Sequence, residues 1–96
     1  MRLRDDLKRL RPQILAAAAA NGAERVRVFG SVARGEETAG SDVDILVTLR
    51  PGRTLLDLAR LETQLEALLG RSVDVVTEES LYEPIRATAL RQAVSV

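Results

Sequence analysis

A small α/β domain (α+β in its mixed sheet), with helices packed on a three-stranded sheet in the order αββαβα, is the fold class this sequence predicts. Three observations predict it. Strand-like runs rich in β-branched residues occur three times, each bounded by turn residues. Helical apolar spacing precedes the first run and separates the second from the third, and helix-start signals follow the third. The chain has 96 residues, which fit one domain spanning 1–96 and leave little room for a second.

Each element has its own signal. Leu3, Leu7, Leu10, Ile14 and Ala17 or Ala18 recur at helical spacing and run into the alanines 16–20, with Asn21-Gly22 as a stop. Pro12 lies inside this pattern, so the helix either kinks there or restarts with Pro12 in its first turn. Arg25-Val26-Arg27-Val28-Phe29 alternates polar and apolar and reads as a strand ending at Gly30. Residues 31–41 read as a loop, with room for one short helical turn. Val43 to Leu49 form a second, more buried strand stopped by Pro51-Gly52. Thr54 and Asp57 form a capping box for a helix whose stripe is Leu58, Leu61, Leu65, Leu68 and Leu69, closed by Gly70. Ser72 to Thr77 form a third strand, and a last helix begins near Ser80 or Glu83.

Composition narrows the chemistry. There are no cysteines and no histidines, which excludes disulfides, thiol catalysis and the commonest general base. Any metal must be held by oxygen ligands, which points to Mg²⁺ or Mn²⁺. Formal net charge is zero, so no basic field recommends nucleic acid as a direct partner. No apolar run approaches membrane-spanning length, and the start MRLRDDLKRL carries charges where a signal peptide needs an apolar stretch. A cytoplasmic location is the expectation.

The informative residues are three aspartates. Asp42 and Asp44 stand two apart at the start of the second strand and therefore share a face. Two carboxylates on one face repel unless a cation sits between them, and a divalent metal meets that need. The second strand, the helix after it and the third strand form a βαβ unit, which usually joins parallel neighbours. Asp74, second residue of its strand, should then lie beside Asp44. If the first strand runs antiparallel to the second, Gly30-Ser31 arrives at the same edge. Glycine lets backbone approach a ligand closely, and free amides there can cradle phosphate oxygens, with the Ser31 hydroxyl as a further donor. Arg34 is placed to add positive charge near a triphosphate. Ordinary readings stand beside these: Gly30 ends a strand, Ser31 caps a turn, Arg34 is a surface arginine and Asp74 an exposed strand residue.

The stretch Gly30-Ser31-Val32-Ala33-Arg34-Gly35, followed by Ser41-Asp42-Val43-Asp44, resembles the Gly-Ser, ten residues, Asp-x-Asp signature of the DNA polymerase beta-like nucleotidyltransferase superfamily. With its short length the chain resembles in particular the minimal nucleotidyltransferase (MNT) proteins, from the leading helix to VDVV around Asp74. The resemblance implies the polymerase beta-like nucleotidyltransferase fold. It implies that Asp42 and Asp44 bind two Mg²⁺ ions, with Asp74 as a further ligand or as base. Gly30 and Ser31, helped by Arg34, would hold the phosphates of ATP. The implied reaction moves AMP from ATP to a hydroxyl acceptor with loss of pyrophosphate. It also implies a partner, since such proteins often act as antitoxins to a HEPN-domain toxin, some by adenylylating a tyrosine on it. Two other functions remain open at this point: a non-catalytic module that occludes its partner, and a transferase acting on a small molecule.

Overall fold

The computed structural model describes residues 3–30, 42–81 and 83–96. Its elements, in chain order, are α1 (Leu3–Arg9), α2 (Arg11–Ala20), β1 (Ala23–Phe29), β2 (Val43–Leu49), α3 (Leu55–Leu69), β3 (Val73–Thr77), a 3₁₀ turn (Glu78–Ser80), α4 (Glu83–Gln92) and β4 (Val94–Ser95). The mixed α/β class expected from sequence is the class observed.

Pro12 decides how the chain begins. It has no N–H to offer the preceding turn, so the apolar stripe is split into two helices and α2 restarts with proline in its first turn. Leu10 bridges the break: its N–H donates to the Asp6 carbonyl and its carbonyl accepts from the Ile14 N–H, both at 2.9 Å. Asn21 ends α2 and is buried. Its side-chain amide donates to the Ala17 carbonyl and to Gln64 Oε1, each at 2.9 Å, which ties α2 to α3. The polar group is thus satisfied where water cannot reach it.

The sheet order is β3-β2-β1-β4. β1 runs antiparallel to β2, and β2 parallel to β3. One face of the sheet carries Val26, Val28, Val43, Ile45, Val47, Val73 and Val75 into a single core with Leu7, Leu10, Ile14 and Ala18 from the first helices and Leu58, Leu61 and Leu65 from α3. With so few aromatic residues, aliphatic side chains fill this core. Each fully buried Leu or Ile contributes roughly 1.5–3 kcal/mol of transfer free energy.

One detail differs from expectation. The sheet has a fourth strand: Val94 and Ser95 pair antiparallel with Val28 and Arg27. Two residues are too short to show periodicity, so nothing in the pattern announced them. They are held by neighbours instead, Val96 N–H donating to the Val26 carbonyl at 3.2 Å and Arg11 Nε to the Val96 carbonyl at 2.8 Å. Of the two starts open to the last helix, Ser80 belongs to the 3₁₀ turn, where Ser80 Oγ exchanges hydrogen bonds with the Thr77 backbone. α4 itself starts at Glu83 with Pro84 in its first turn.

α3 is bounded as its sequence suggests. Thr54 N–H donates to Asp57 Oδ2 at 2.9 Å, Leu56 N–H donates to Thr54 Oγ1 at 3.3 Å, and Gly70 closes the helix at φ 65°. Along its sheet side, α3 also reaches the outer edge of β3. Glu66 Oε2 accepts from the Val73 N–H and Glu62 Oε2 from the Val75 N–H, both at 3.0 Å, while Ser80 Oγ accepts from the Thr77 N–H at 3.2 Å. Among the described residues no helix is long and apolar enough to cross a membrane.

Candidate active site

The opposite face of the sheet is built from the alternate residues of the same strands. Register places Phe29 of β1 opposite Asp44 of β2, and Asp44 beside Asp74 of β3. The three Cα atoms form one row across three strands, spaced about 4.8 Å apart. Strand ends are aligned by the Val43 N–H, which donates to the Ser72 carbonyl at 3.0 Å. The crossover through α3 thus brings residues thirty positions apart in sequence into adjacent seats, as the βαβ argument requires.

Asp44 is half-buried, whereas Asp42 and Asp74 are exposed. Asp42 immediately precedes β2, two residues from Asp44, so the alternation directs it to the same face. No group of three carboxylates among the described residues is gathered tightly enough to form a ready-made ligand set. The observed arrangement is therefore one in-register pair, Asp44 with Asp74, and a third carboxylate at the strand entrance.

Gly30 completes the row's near side. Its φ is +74°, a conformation that side-chain-bearing residues avoid, and a Cβ there would overlap Asp44 Oδ2 and lie 3.3 Å from the carboxyl carbon. The backbone at Gly30 packs directly on the Asp44 carboxylate, so any ligand of one is within reach of the other. Ser31 and Arg34, the other two expected phosphate contacts, lie outside the described residues.

Two features of this face had no signal in the sequence. Arg27, a polar position of the alternating strand, is only 12% exposed in its side chain. It lies one row inward, opposite the fully buried Leu46. Nη1 donates to Glu78 Oε1 at 3.0 Å and Nε to the Arg25 carbonyl at 3.0 Å, while Nη2 is buried with no partner among the described residues. The second feature is a cavity of about 380 Å³ between the end of β1 and α4, lined by Phe29, Gly30, Pro84, Ile85, Thr88, Ala89 and Gln92. Its walls come from segments more than fifty positions apart, so no local pattern could reveal it.

A half-buried carboxylate stands in register with a second, next to a glycine that admits close backbone approach. On a mixed sheet of this order, that is the build of a small nucleotidyltransferase. The family model for the nucleotidyltransferase domain matches residues 1–95, and the chain belongs to this family. A solved structure described as a candidate minimal nucleotidyltransferase is 50% identical, covers 100% of this chain and 97% of its own, and superposes with a TM-score of 0.87. The protein adenylyltransferase MntA of Thermococcus cleftensis is 48% identical over 75 residues, 78% of this chain and 76% of that protein. A crystal structure of a toxin–antitoxin with AMP-PNP shares the fold at a TM-score of 0.74 and 22% identity, over 88% of this chain and 69% of that one. The chain is thus a nucleotidyltransferase of the minimal type.

Proposed function

We propose that this protein transfers AMP from ATP to a hydroxyl group of a partner protein, a tyrosine of a HEPN-domain toxin, and so acts as an antitoxin. The observation that carries the reading is the in-register pair Asp44–Asp74 with the Gly30 backbone against the Asp44 carboxylate. The relative named as a protein adenylyltransferase and the toxin–antitoxin complex of the same fold support the acceptor and the partner.

The donor set fits divalent metal: oxygen ligands only, two of them on adjacent strands of one face. Asp42, Asp44 and Asp74 would hold two Mg²⁺ ions, or Mn²⁺ in the same oxygen sites, supplying charge neutralisation at the phosphates and activation of the attacking hydroxyl. The Gly30 and Ser31 amides and the Ser31 hydroxyl hold the β- and γ-phosphates, and Arg34 adds charge beside them. Asp74 faces the acceptor and takes its proton as the hydroxyl oxygen bonds to the α-phosphorus. The bond from that phosphorus to the bridging oxygen breaks, and pyrophosphate leaves with the electron pair.

The test is intact-mass spectrometry of a HEPN-domain partner after incubation with this protein, ATP and Mg²⁺, alongside Asp42→Asn, Asp44→Asn. We expect the partner to gain one or more AMP units with the native chain and none with the doubly substituted one. A stable complex with no mass gain would replace this reading by the occluding module.

A further inference from the structure

We propose that the Arg27–Glu78 ion pair is a positioning device for the transfer step, holding the leaving-group side of the site on β1 at a fixed distance from the acceptor side on β3. This role rests on the proposed parts of Gly30 and Asp74 in the reaction and adds what sets the separation between them.

Arg27 stands two residues before Phe29 on β1, opposite Leu46, and so shares the face of the Phe29–Asp44–Asp74 row, one step inward. Glu78 follows β3 directly, four residues after Asp74. Because β2 lies between β1 and β3, the pair, closed at 3.0 Å, crosses over β2, where Leu46 is fully buried. The strands it joins carry Gly30 at one end of the row and Asp74 at the other. The turn it grips is also held from α4. Leu81 N–H donates to the Glu78 carbonyl at 3.3 Å, and the Leu81 carbonyl accepts from Arg86 Nε at 3.2 Å and Nη2 at 3.0 Å. In-line displacement needs the attacking hydroxyl, the phosphorus and the leaving oxygen aligned, and a misplacement of about 1 Å can cost on the order of 100-fold in rate. The separation from β1 to β3, two strand spacings or ~10 Å, is the dimension on which that alignment depends.

Stability does not call for an arginine at this place. Its side chain is 12% exposed, yet Nη2 is buried with no partner among the described residues, and a buried donor left unmade is destabilising. Attraction within a buried ion pair is largely cancelled by the cost of taking the charges out of water. Apolar side chains of similar size therefore often serve as well or better. What an apolar pair would lack is direction. Arg27 Nε donates to the Arg25 carbonyl at 3.0 Å while Nη1 donates to Glu78, and two bonds from one planar fork fix where the turn lies relative to β1.

Two variants separate positioning from stability. Arg27→Met with Glu78→Met removes both charges; Glu78→Gln keeps an oxygen acceptor for Nη1 but leaves the guanidinium without a counter-charge. Each is compared with the native chain by urea unfolding, and by the rate of AMP addition to a HEPN-domain partner at varied ATP in Mg²⁺, read by intact mass. The doubly substituted chain should unfold at or above the native urea midpoint, with kcat lowered roughly tenfold or more and the KM for ATP within about twofold of native. Glu78→Gln should do the reverse, with a lower midpoint and a kcat within about threefold of native. Turnover that tracks the urea midpoint in both variants, or a native kcat in the doubly substituted chain, overturns the positioning role. A doubly substituted chain that unfolds earlier than the native one makes the pair a plain structural clamp and overturns it too. So does a fall in kcat matched by a rise in KM, which would place the pair in ATP binding. A native chain that adds no AMP sinks the transfer reaction itself, and this role with it.

Discussion

Replacing Gly30 by alanine would add one methyl group at the point where the site has no room for it. The backbone there sits at φ +74° and the new carbon would meet the Asp44 carboxylate. The left-handed backbone alone costs about 1–2 kcal/mol for a side-chain-bearing residue, and the collision must be relieved by moving either β1 or Asp44. We expect Gly30→Ala to lower the urea midpoint by an amount corresponding to at least about 1 kcal/mol, and to abolish Mg²⁺-dependent ATP binding. Full stability with intact ATP affinity would show that the close approach is incidental. The same residue illustrates what sequence can convey at this scale. A glycine before a serine hinted at a phosphate contact, but its contact with Asp44 depends on β1 and β2 being antiparallel in a particular register. Arg27 makes the converse point: alternation marks it only as a polar strand position, and its burial comes with the turn after β3, where Glu78 accepts from its guanidinium.

Among the elements, α3 offers the clearest pH dependence. The Asp57 carboxyl is held below its usual value of 3.8, first by the Thr54 backbone N–H and then by Arg53, against the opposing effect of burial. A carboxyl with a depressed folded pKa contributes stability that is present above its unfolded pKa and is lost as pH falls through the folded one. The stability gap between the native chain and Asp57→Ala should therefore be constant at neutral pH and shrink below about pH 4. Urea unfolding at a series of pH values checks this; a gap unchanged down to pH 2 would mean that helix propensity, not the cap, sets the difference. Elements with both ends signed, α3 above all, were readable from the chain, because capping and apolar stripe are local properties. For the split at Leu10 the sequence allows two options, since Pro12 tolerates either a kink or a restart. β4 was not readable at all, since its two residues are strand only because β1 is there to pair with.

For the molecule as a whole, the adjacency of Asp44 and Asp74 followed from the handedness and parallel sense of one crossover, a rule general enough to use without coordinates. The cavity beside Phe29 had no such rule behind it and emerged only from how α4 returns to β1. The outer edge of β3 adds a different property. Its outward amides at Val73, Val75 and Thr77 are already occupied by Glu66, Glu62 and Ser80, so this edge offers few free donors for another strand. Removing the two carboxylates together, Glu62→Ala with Glu66→Ala, should expose the edge and produce concentration-dependent self-association in sedimentation velocity runs. A variant that sediments as the native chain does at the same concentrations would rule out the carboxylates as the guard. Asp74 lies on this same guarded strand, and that has a consequence for how an acceptor would be presented. If the acceptor is a protein, an extended ribbon laid alongside β3 would find the outward amides of that strand already taken. Its hydroxyl would then come down onto the sheet from above, at the tip of a projecting side chain. Recognition would then depend on the shape of the partner's folded surface, and a short linear peptide around the same residue would make a poor substitute.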